Sequence, residues 1–551
     1  MPAPTALPMP RFHPFVGTDV PWLLRERAKT YGDRPYLIWD PFEGEGASYT
    51  YAEFARAVDR LAAGLLARGL RKGDFFLIHL GNCAEFLIAW HACSRLGVVA
   101  VTTNTRSSPD EMAYFAENCG AKAALTQPAF VDLVAASAPN LRFIAVTERD
   151  QGAPAASFAT KGVVPLASID ADPDGLPSEP HDPLHFNSVQ YTSGTTARPK
   201  GVVWTHANVL WGARLTASLL ELRPDDIGFV FFPLFHTNAL MYSALGSLWA
   251  GGSIVVTPKY SASRFWPKAL RHGCTWATSS PFMLKTLATH KAPQRHFFRF
   301  WGSGTTDPPL CRDFFRVQGL GWFGMTETIS LPTIGYLNLP NRPLGMGRVT
   351  PGYEVTVLRE DGTPVDFGET GRLMIRGVPG LSLFYEYLNN PEATAAAFDP
   401  HGWLETGDLV TPHADGGFRF EGRGRDMLRV GAENVAAAEI ERVIQGVAGV
   451  FEVAVVAKPD EFLSEVPAAF VIPVGEANGQ GDDLAERILA ACRAQLADFK
   501  VPREVIFVPE FPRSTLNKVS KKDLRARFAT AEVQSGGPKT STQVSARNGA
   551  A

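Results

Sequence analysis

The sequence predicts an α/β protein with a large N-terminal domain of doubly wound sheets, a β-rich subdomain, and a small C-terminal α+β domain. Three observations predict it. Strand-like apolar runs alternate with helix-period stretches through the first half of the chain, which is the pattern of parallel sheets wrapped by helices. Past residue 340 the strands become short and are separated by Asp-Gly and Gly-Gly, residues that favour tight turns. After Arg423, helix and strand alternate again over a stretch long enough for a small separate domain.

In chain order, Val20–Tyr31 and Tyr51–Ala67 carry apolar residues at i, i+3/i+4 and predict helices. Phe75–Leu80 is a buried-type strand, Ala84–Leu96 a helix and Val98–Val101 a strand. The alternation continues through strands at Ala121–Thr126, Phe143–Val146, Ile227–Phe232, Ser253–Thr257 and Thr275–Ser279. Glu354–Leu358, Gly371–Arg376 and Phe418–Glu421 are the short strands of the β-rich part. The C-terminal elements are Glu439–Ile444, Glu452–Ala457, Ala468–Pro473, Leu484–Ala497 and Glu504–Val508, and Leu484, Ile488, Ala491 and Leu496 fall near one helical face. The segment from about Glu532 is small, polar and unpatterned, and predicts disorder.

With 551 residues the chain exceeds a single core. A net charge of −3 points to neither nucleic acid nor an anionic membrane surface. The six cysteines are scattered without a Cys-x-x-Cys pair, which favours reduced thiols and a cytoplasmic protein over a disulfide frame or a zinc site. The N-terminal stretch has several prolines and no apolar core of a secretory signal. The longest apolar-leaning run, Ala239 to Ala250, is too short to span a bilayer.

The chemistry concentrates in Tyr191-Thr192-Ser193-Gly194-Thr195-Thr196-Ala197-Arg198-Pro199-Lys200-Gly201-Val202-Val203. Hydroxyls and glycine N–H groups in one tight loop make a donor-rich concavity for phosphate oxygens, and Lys200 adds an ammonium. A plain Ser/Thr/Gly loop has the same composition; the order of residues favours a phosphate loop. It is not the P-loop of NTPases, because Lys200 stands between Pro199 and Gly201 rather than between Gly and Ser/Thr. The string resembles the signature phosphate loop of adenylate-forming enzymes, the superfamily of acyl-CoA synthetases, amino-acid adenylation domains and luciferases.

Further motifs follow in the order of that superfamily, over roughly residues 20–528. Trp322-Phe323-Gly324-Met325-Thr326-Glu327-Thr328 resembles its aromatic-Gly-x-Thr-Glu element. The resemblance implies Phe323 stacked on adenine with Gly324 beside it, Thr326 on the α-phosphate, and Glu327 with Thr195 on Mg²⁺, a hard cation that takes oxygen ligands. Gly302-Ser303-Gly304-Thr305-Thr306 stands where relatives have a small-residue adenine turn, and Asp307 excludes a dinucleotide fingerprint. His236, in Pro233-Leu234-Phe235-His236, borders the acyl pocket by resemblance; a lone histidine there is more often a structural or core residue. Thr406-Gly407-Asp408-Leu409 resembles the ribose-binding element, with Arg423 as a further ribose or phosphate contact.

Arg425 occupies the hinge position of the family, and Gly431 and Asn434, within Val430–Val435, would line a pantetheine channel. Pro512-Arg513-Ser514-Thr515-Leu516-Asn517-Lys518-Val519 resembles the C-terminal catalytic-lysine loop, with Lys518 catalytic. Asn517 replaces the usual glycine there, and asparagine tolerates the left-handed conformation better than most residues.

The resemblance implies an adenylation domain over 1–424, a mobile C-terminal domain over 425–530, and a disordered tail over 531–551. It implies an ATP-dependent acid–CoA ligase using ATP, Mg²⁺ and CoA. Partners are a small carboxylic acid and free CoA, with no nucleic acid and no transmembrane segment; a homodimer is open. A CoA-independent adenylating enzyme and a silent binding homologue are the alternatives. Lys259–Trp266, Gly377–Gly380 and Phe384–Tyr387 look closest to the crotonobetaine/carnitine-CoA ligase branch. For a quaternary ammonium acid an aromatic cage is expected, with Trp204, Trp211 and Trp249 available.

Overall fold

The computed structural model describes residues 13–150, 153–154, 162–178, 180–192, 199–304, 309–339, 341–423, 427–430, 433–460, 463–475, 481–496, 498–513 and 519–531. The chain divides into two units. One holds the residues up to Val355 together with Ile375–Glu405 and Asp415–Phe418, and the other holds Thr356–Met374, Thr406–Ala414 and the residues from Arg419 on.

The larger unit is built on two sheets. The first has seven strands in the order Lys200–Thr205, Phe186–Thr192, Val99–Thr102, Phe75–His79, Ala123–Thr126, Ile144–Val146, Val163–Pro165. All its pairings are parallel except the Phe186–Thr192/Lys200–Thr205 hairpin at one edge. Val99–Thr102 and Ala123–Thr126 are buried at every position, as expected of parallel strands covered on both faces. The helix Tyr51–Ala67 starts where its sequence says it should: Thr50 and Glu53 cap each other's backbone, and Tyr51, Phe54, Val58, Leu61 and Leu65 are buried along one face. The helix Ala84–Leu96 stops at Gly97, whose φ of +69° and a would-be Cβ only 2.7 Å from His181 leave room for glycine alone.

The second sheet has nine strands, ordered Arg348–Val349, Thr333–Ile334, Gln318–Phe323, Phe300–Ser303, Trp276–Thr278, Ile227–Val230, Ser253–Val256, Pro35–Trp39, Ala47–Thr50. Its six central strands, Gln318–Phe323 through Pro35–Trp39, are mutually parallel. One face carries an aromatic core including Phe229, Phe265, Trp266, Phe298 and Trp301, with Phe265 edge-on to Trp301 at 5.6 Å. The apolar run near residue 240 folds inside this unit as a π-helical stretch, Asn238–Leu245, followed by the helix Gly246–Ala250. Among the described residues no helix is long and apolar enough to cross a membrane.

A four-stranded sheet, ordered Glu354–Leu358, Gly371–Arg376, Leu404–Pro412, Phe418–Arg423, forms the β-rich part, and most of its residues fall in the second unit. The rest of that unit has a five-stranded sheet, in which Ser464–Pro473 pairs with Met427–Val430, Val450–Asp460 and Glu504–Phe507, and Glu433–Ala436 closes one edge. The helices Ala437–Gln445 and Gly481–Gln495 share its core with the strands. Leu484 and Ile488 are buried there, with Ala491 and Leu496 packed against the same cluster, as the helical spacing predicted. A second cluster of the unit holds Phe470 and Leu524. The α/β class, with a large N-terminal and a smaller C-terminal domain, is the one read from the sequence. The segment expected to be disordered, from Glu532 on, lies outside the described residues.

Candidate active site

The phosphate-loop motif is carried on a β-hairpin. Thr192 is the last residue of one strand and lies opposite Lys200, the first of the next. Ser193, Gly194, Thr195 and Thr196, between them, lie outside the described residues. A third extended segment, 384–388, runs beside the hairpin: Tyr385 N donates to Val203 O at 3.0 Å, Val203 N to Glu386 O at 2.9 Å, and Leu388 N to Gly201 O at 2.7 Å.

That segment joins the hairpin to the Thr-Glu element. Phe384 N donates to the carbonyl of Glu327 at 2.8 Å, and Tyr387 Oη donates to Glu327 Oε1 at 2.9 Å. The ammonium of Lys200 stands 4.7 Å over the Tyr387 ring, a cation–π distance. Burial, and next the Glu327 charge, push the Tyr387 hydroxyl well above its ordinary pKa, so it stays protonated as a donor. Glu327 is 6% exposed. A buried carboxylate that accepts from a neutral phenol, with an ammonium across that ring, is an oxygen donor of the kind a hard divalent cation takes. Mg²⁺ therefore fits Glu327.

Thr326 is tied down from two sides. Its carbonyl accepts from Trp204 Nε1 at 2.9 Å. Its hydroxyl lies 3.1 Å from that of Thr237, which lies 2.9 Å from Gln190 Oε1. Three residues on, Ile329 has φ of +62°, a conformation a β-branched residue rarely takes. Gly324 is required by its neighbours, since a Cβ there would meet Tyr242 Oη at 2.1 Å.

The parallel sheet gathers the remaining residues. Ser303 ends the strand Phe300–Ser303 with Gly304 next to it, Phe323 ends Gln318–Phe323, and His236 follows Ile227–Val230. All three strands are parallel members of one sheet, so these positions share its carboxyl edge, where open α/β sheets bind ligands. Ser303 and Phe323 are buried, and His236 is half-buried with its ring 4.5 Å from that of Phe235. Thr305 lies outside the described residues.

In the second unit, Asp408 is buried in the strand Leu404–Pro412, its N–H bonded to the Thr406 hydroxyl at 3.1 Å, directly after Gly407 at φ +74°. Arg423 ends the strand Phe418–Arg423, and Asn434 pairs through the backbone with Arg429. Arg425, Gly431 and Lys518 lie outside the described residues.

Sequence reasoning missed Tyr387, Gln190 and Thr237 as parts of this network. Tyr387 was visible only as one aromatic in Phe384–Tyr387, and no local pattern pairs it with Glu327. The three tryptophans considered for a cage have separate surroundings: Trp204 is fully buried against Thr326, Trp211 packs on Gly352, and Trp249 lies 5.9 Å under Arg27.

Residues 24–388 match the AMP-binding enzyme family, and residues 439–518 match the AMP-binding enzyme C-terminal domain. The chain belongs to the AMP-binding enzyme family. It is 30% identical over 537 residues to a crotonobetaine/carnitine–CoA ligase of Salmonella paratyphi C, covering 92% of this chain and 99% of that protein. Among solved structures, an anthranilate CoA ligase in complex with anthranoyl-AMP superposes with a TM-score of 0.84 at 24% identity, over 94% and 98% of the two chains, a likeness of fold. ATP-bound MatB from Rhodopseudomonas palustris gives a TM-score of 0.79 at 26% identity, over 92% and 98%. O-succinylbenzoate coenzyme A synthetase from Bacillus subtilis, in complex with AMP, gives 0.77 at 27%, also over 92% and 98%.

Proposed function

We propose that this enzyme is an acid–CoA ligase: it activates a carboxylic acid with ATP to an acyl-adenylate and passes the acyl group to CoA, releasing AMP and pyrophosphate. The observation that carries the reading is the chain of contacts from Lys200 through Tyr387 to Glu327, which sets a cation of the phosphate-loop hairpin over the ring face of one phenol and a buried carboxylate on its hydroxyl.

In the first step a carboxylate oxygen bonds to the α-phosphorus of ATP, and the bond to the bridging α–β oxygen breaks. Pyrophosphate leaves. The protein's task is to position the groups and offset charge. Ser193, Gly194, Thr195, Thr196, Thr192 and Lys200 hold the departing phosphates; Thr326 and Lys518 hold the α-phosphate; Phe323, Gly324, Ser303, Gly304 and Thr305 take the adenine; Asp408 and Arg423 take the ribose. Glu327 and Thr195 would hold Mg²⁺, which when bound neutralises phosphate charge. His236 borders the acid.

In the second step the thiol of CoA loses its proton and bonds to the acyl carbon, and AMP leaves with one oxygen of the original carboxylate. We assign residues 1–424 to the adenylation domain and 425–530 to a C-terminal domain that turns about Arg425, exchanging Lys518 for the Gly431 and Asn434 stretch. Such hinged exchange is a known form of gating. The same proposal puts the protein in the cytoplasm, where its nucleotide substrates are, and sedimentation of the pure protein distinguishes a monomer from a homodimer.

Acid labelled with ¹⁸O in its carboxylate tests the scheme. One labelled oxygen recovered in AMP is expected; label confined to the acyl product contradicts an adenylate.

A further inference from the structure

Gln190 lies in the strand that leads into the phosphate loop, with only 2% of its surface exposed. Its Oε1 stands 2.9 Å from Thr237 Oγ1, which stands 3.1 Å from Thr326 Oγ1. Its Nε2 is fully buried and has no hydrogen-bond partner among the described residues. This arrangement is lopsided. The amide nitrogen carries two hydrogens and the oxygen none, and a buried N–H without an acceptor is rarer in proteins than an under-used carbonyl. The two ends of an amide have the same shape, so a half-turn about the last side-chain torsion exchanges them without displacing any neighbour.

The exchange decides which way three hydrogens point. With Oε1 on Thr237, that threonine gives its only hydrogen to Gln190, and its oxygen draws in the hydrogen of Thr326. The Thr326 hydroxyl then offers only lone pairs outward, which repel an anionic oxygen. With Nε2 on Thr237, the threonine oxygen is occupied by a donor and its hydrogen passes to Thr326 Oγ1. The hydrogen of Thr326 is then left for a ligand. The carbonyl of Thr326 is meanwhile held by Trp204 Nε1 at 2.9 Å, so the residue itself does not move.

We propose that Gln190 is a positioning residue for nucleotide phosphate: its amide donates to Thr237, Thr237 donates to Thr326, and Thr326 thereby presents its hydrogen to the α-phosphate. The inference rests on the reading of Thr326 as an α-phosphate contact.

The test uses the full chain and two probes, AMP and adenosine, with affinities measured by calorimetry. Thr326→Val, Thr237→Val and Gln190→Met should each weaken AMP roughly ten- to hundredfold, the worth of one hydrogen bond to a charged acceptor. Adenosine, which lacks the phosphate, should bind to all three as to the natural protein. Gln190→Glu supplies the sharper arm. Protonated, a carboxylic acid still donates; ionised, it only accepts. Burial raises its pKa, so the AMP-to-adenosine affinity ratio of this variant, divided by that of the natural protein, should be near one at pH 6 and fall toward pH 8.5.

Unchanged AMP binding by Thr326→Val would overturn the reading of Thr326. Loss in Thr326→Val with none in Gln190→Met would overturn the relay alone. Equal loss of AMP and adenosine in Gln190→Met, or a flat ratio for Gln190→Glu, would reduce Gln190 to a packing residue.

Discussion

Adding one methyl group at Gly324 should damage adenylation, and removing one oxygen elsewhere should repair much of it. A Cβ at this position would stand 2.1 Å from Tyr242 Oη, 3.1 Å from Tyr242 Cζ and 3.1 Å from the Ser330 carbonyl oxygen. Tyr242 is 3% exposed and has nowhere to go, so the strain falls on the turn between Phe323 and Thr326. Overpacking of this kind costs about 1–3 kcal/mol; expressed in the transition state, that is a rate loss of roughly five- to hundredfold.

Tyr242→Phe takes away only the closest atom. Its own cost is small, about 1 kcal/mol or less, because the hydroxyl's bond to Ser330 O is long at 3.4 Å and that carbonyl also accepts from Thr328 Oγ1. The double variant is left with contacts near 3.1 Å, which neighbours relieve by small shifts. In acid-dependent ATP–pyrophosphate exchange, Gly324→Ala should be slow, Tyr242→Phe close to the natural enzyme, and the double variant clearly faster than Gly324→Ala. A double variant no faster than Gly324→Ala would refute the steric account.

Three further predictions concern separate parts of the enzyme. Lys518→Ala should abolish adenylation while sparing thioester formation from synthetic acyl-adenylate; equal loss of both would contradict a lysine specific to the first step. Tyr387→Phe removes the 2.9 Å hydrogen bond to Glu327, and the Mg²⁺ concentration for half-maximal adenylation should rise roughly tenfold; an unchanged Mg²⁺ dependence would separate Tyr387 from the metal. Burial lowers His79 to about 4 and His91 to about 3. The unfolded chain then takes up protons first as pH falls below about 6.5, so stability is complete above that value and lost below it. Each should cost about 2 kcal/mol between pH 7 and 5, seen as a falling urea midpoint that His91→Phe partly flattens; a level midpoint would contradict their burial as neutral rings.

The fold was legible where one physical rule dominated. The buried strands Phe75–His79 and Val99–Thr102 announce themselves as apolar runs, and Tyr51–Ala67 by its periodicity. The phosphate-loop order and the Phe323–Glu327 string pointed to nucleotide chemistry because they resemble, in the same order, motifs of the adenylate-forming superfamily. Long-range partners were not legible. Tyr387 lies 60 residues from Glu327 and Gln190 lies 47 from Thr237; each meets its partner only through sheet order and a bordering segment. Nor did the sequence reveal that Trp204 is a buried donor to Thr326 rather than a wall of a substrate cage, since a tryptophan's burial depends on what packs over it.

The central claim is tested most directly by pyrophosphate release with ATP and Mg²⁺ across a panel of acids, each with and without CoA. The panel is crotonobetaine and carnitine, short to long fatty acids, and aryl acids. The account predicts that one class of acid gives acid-dependent pyrophosphate, with sustained turnover to AMP and an acyl-CoA only when CoA is present. Sustained turnover without CoA, or no acid-dependent release from a protein that still binds ATP, would contradict it.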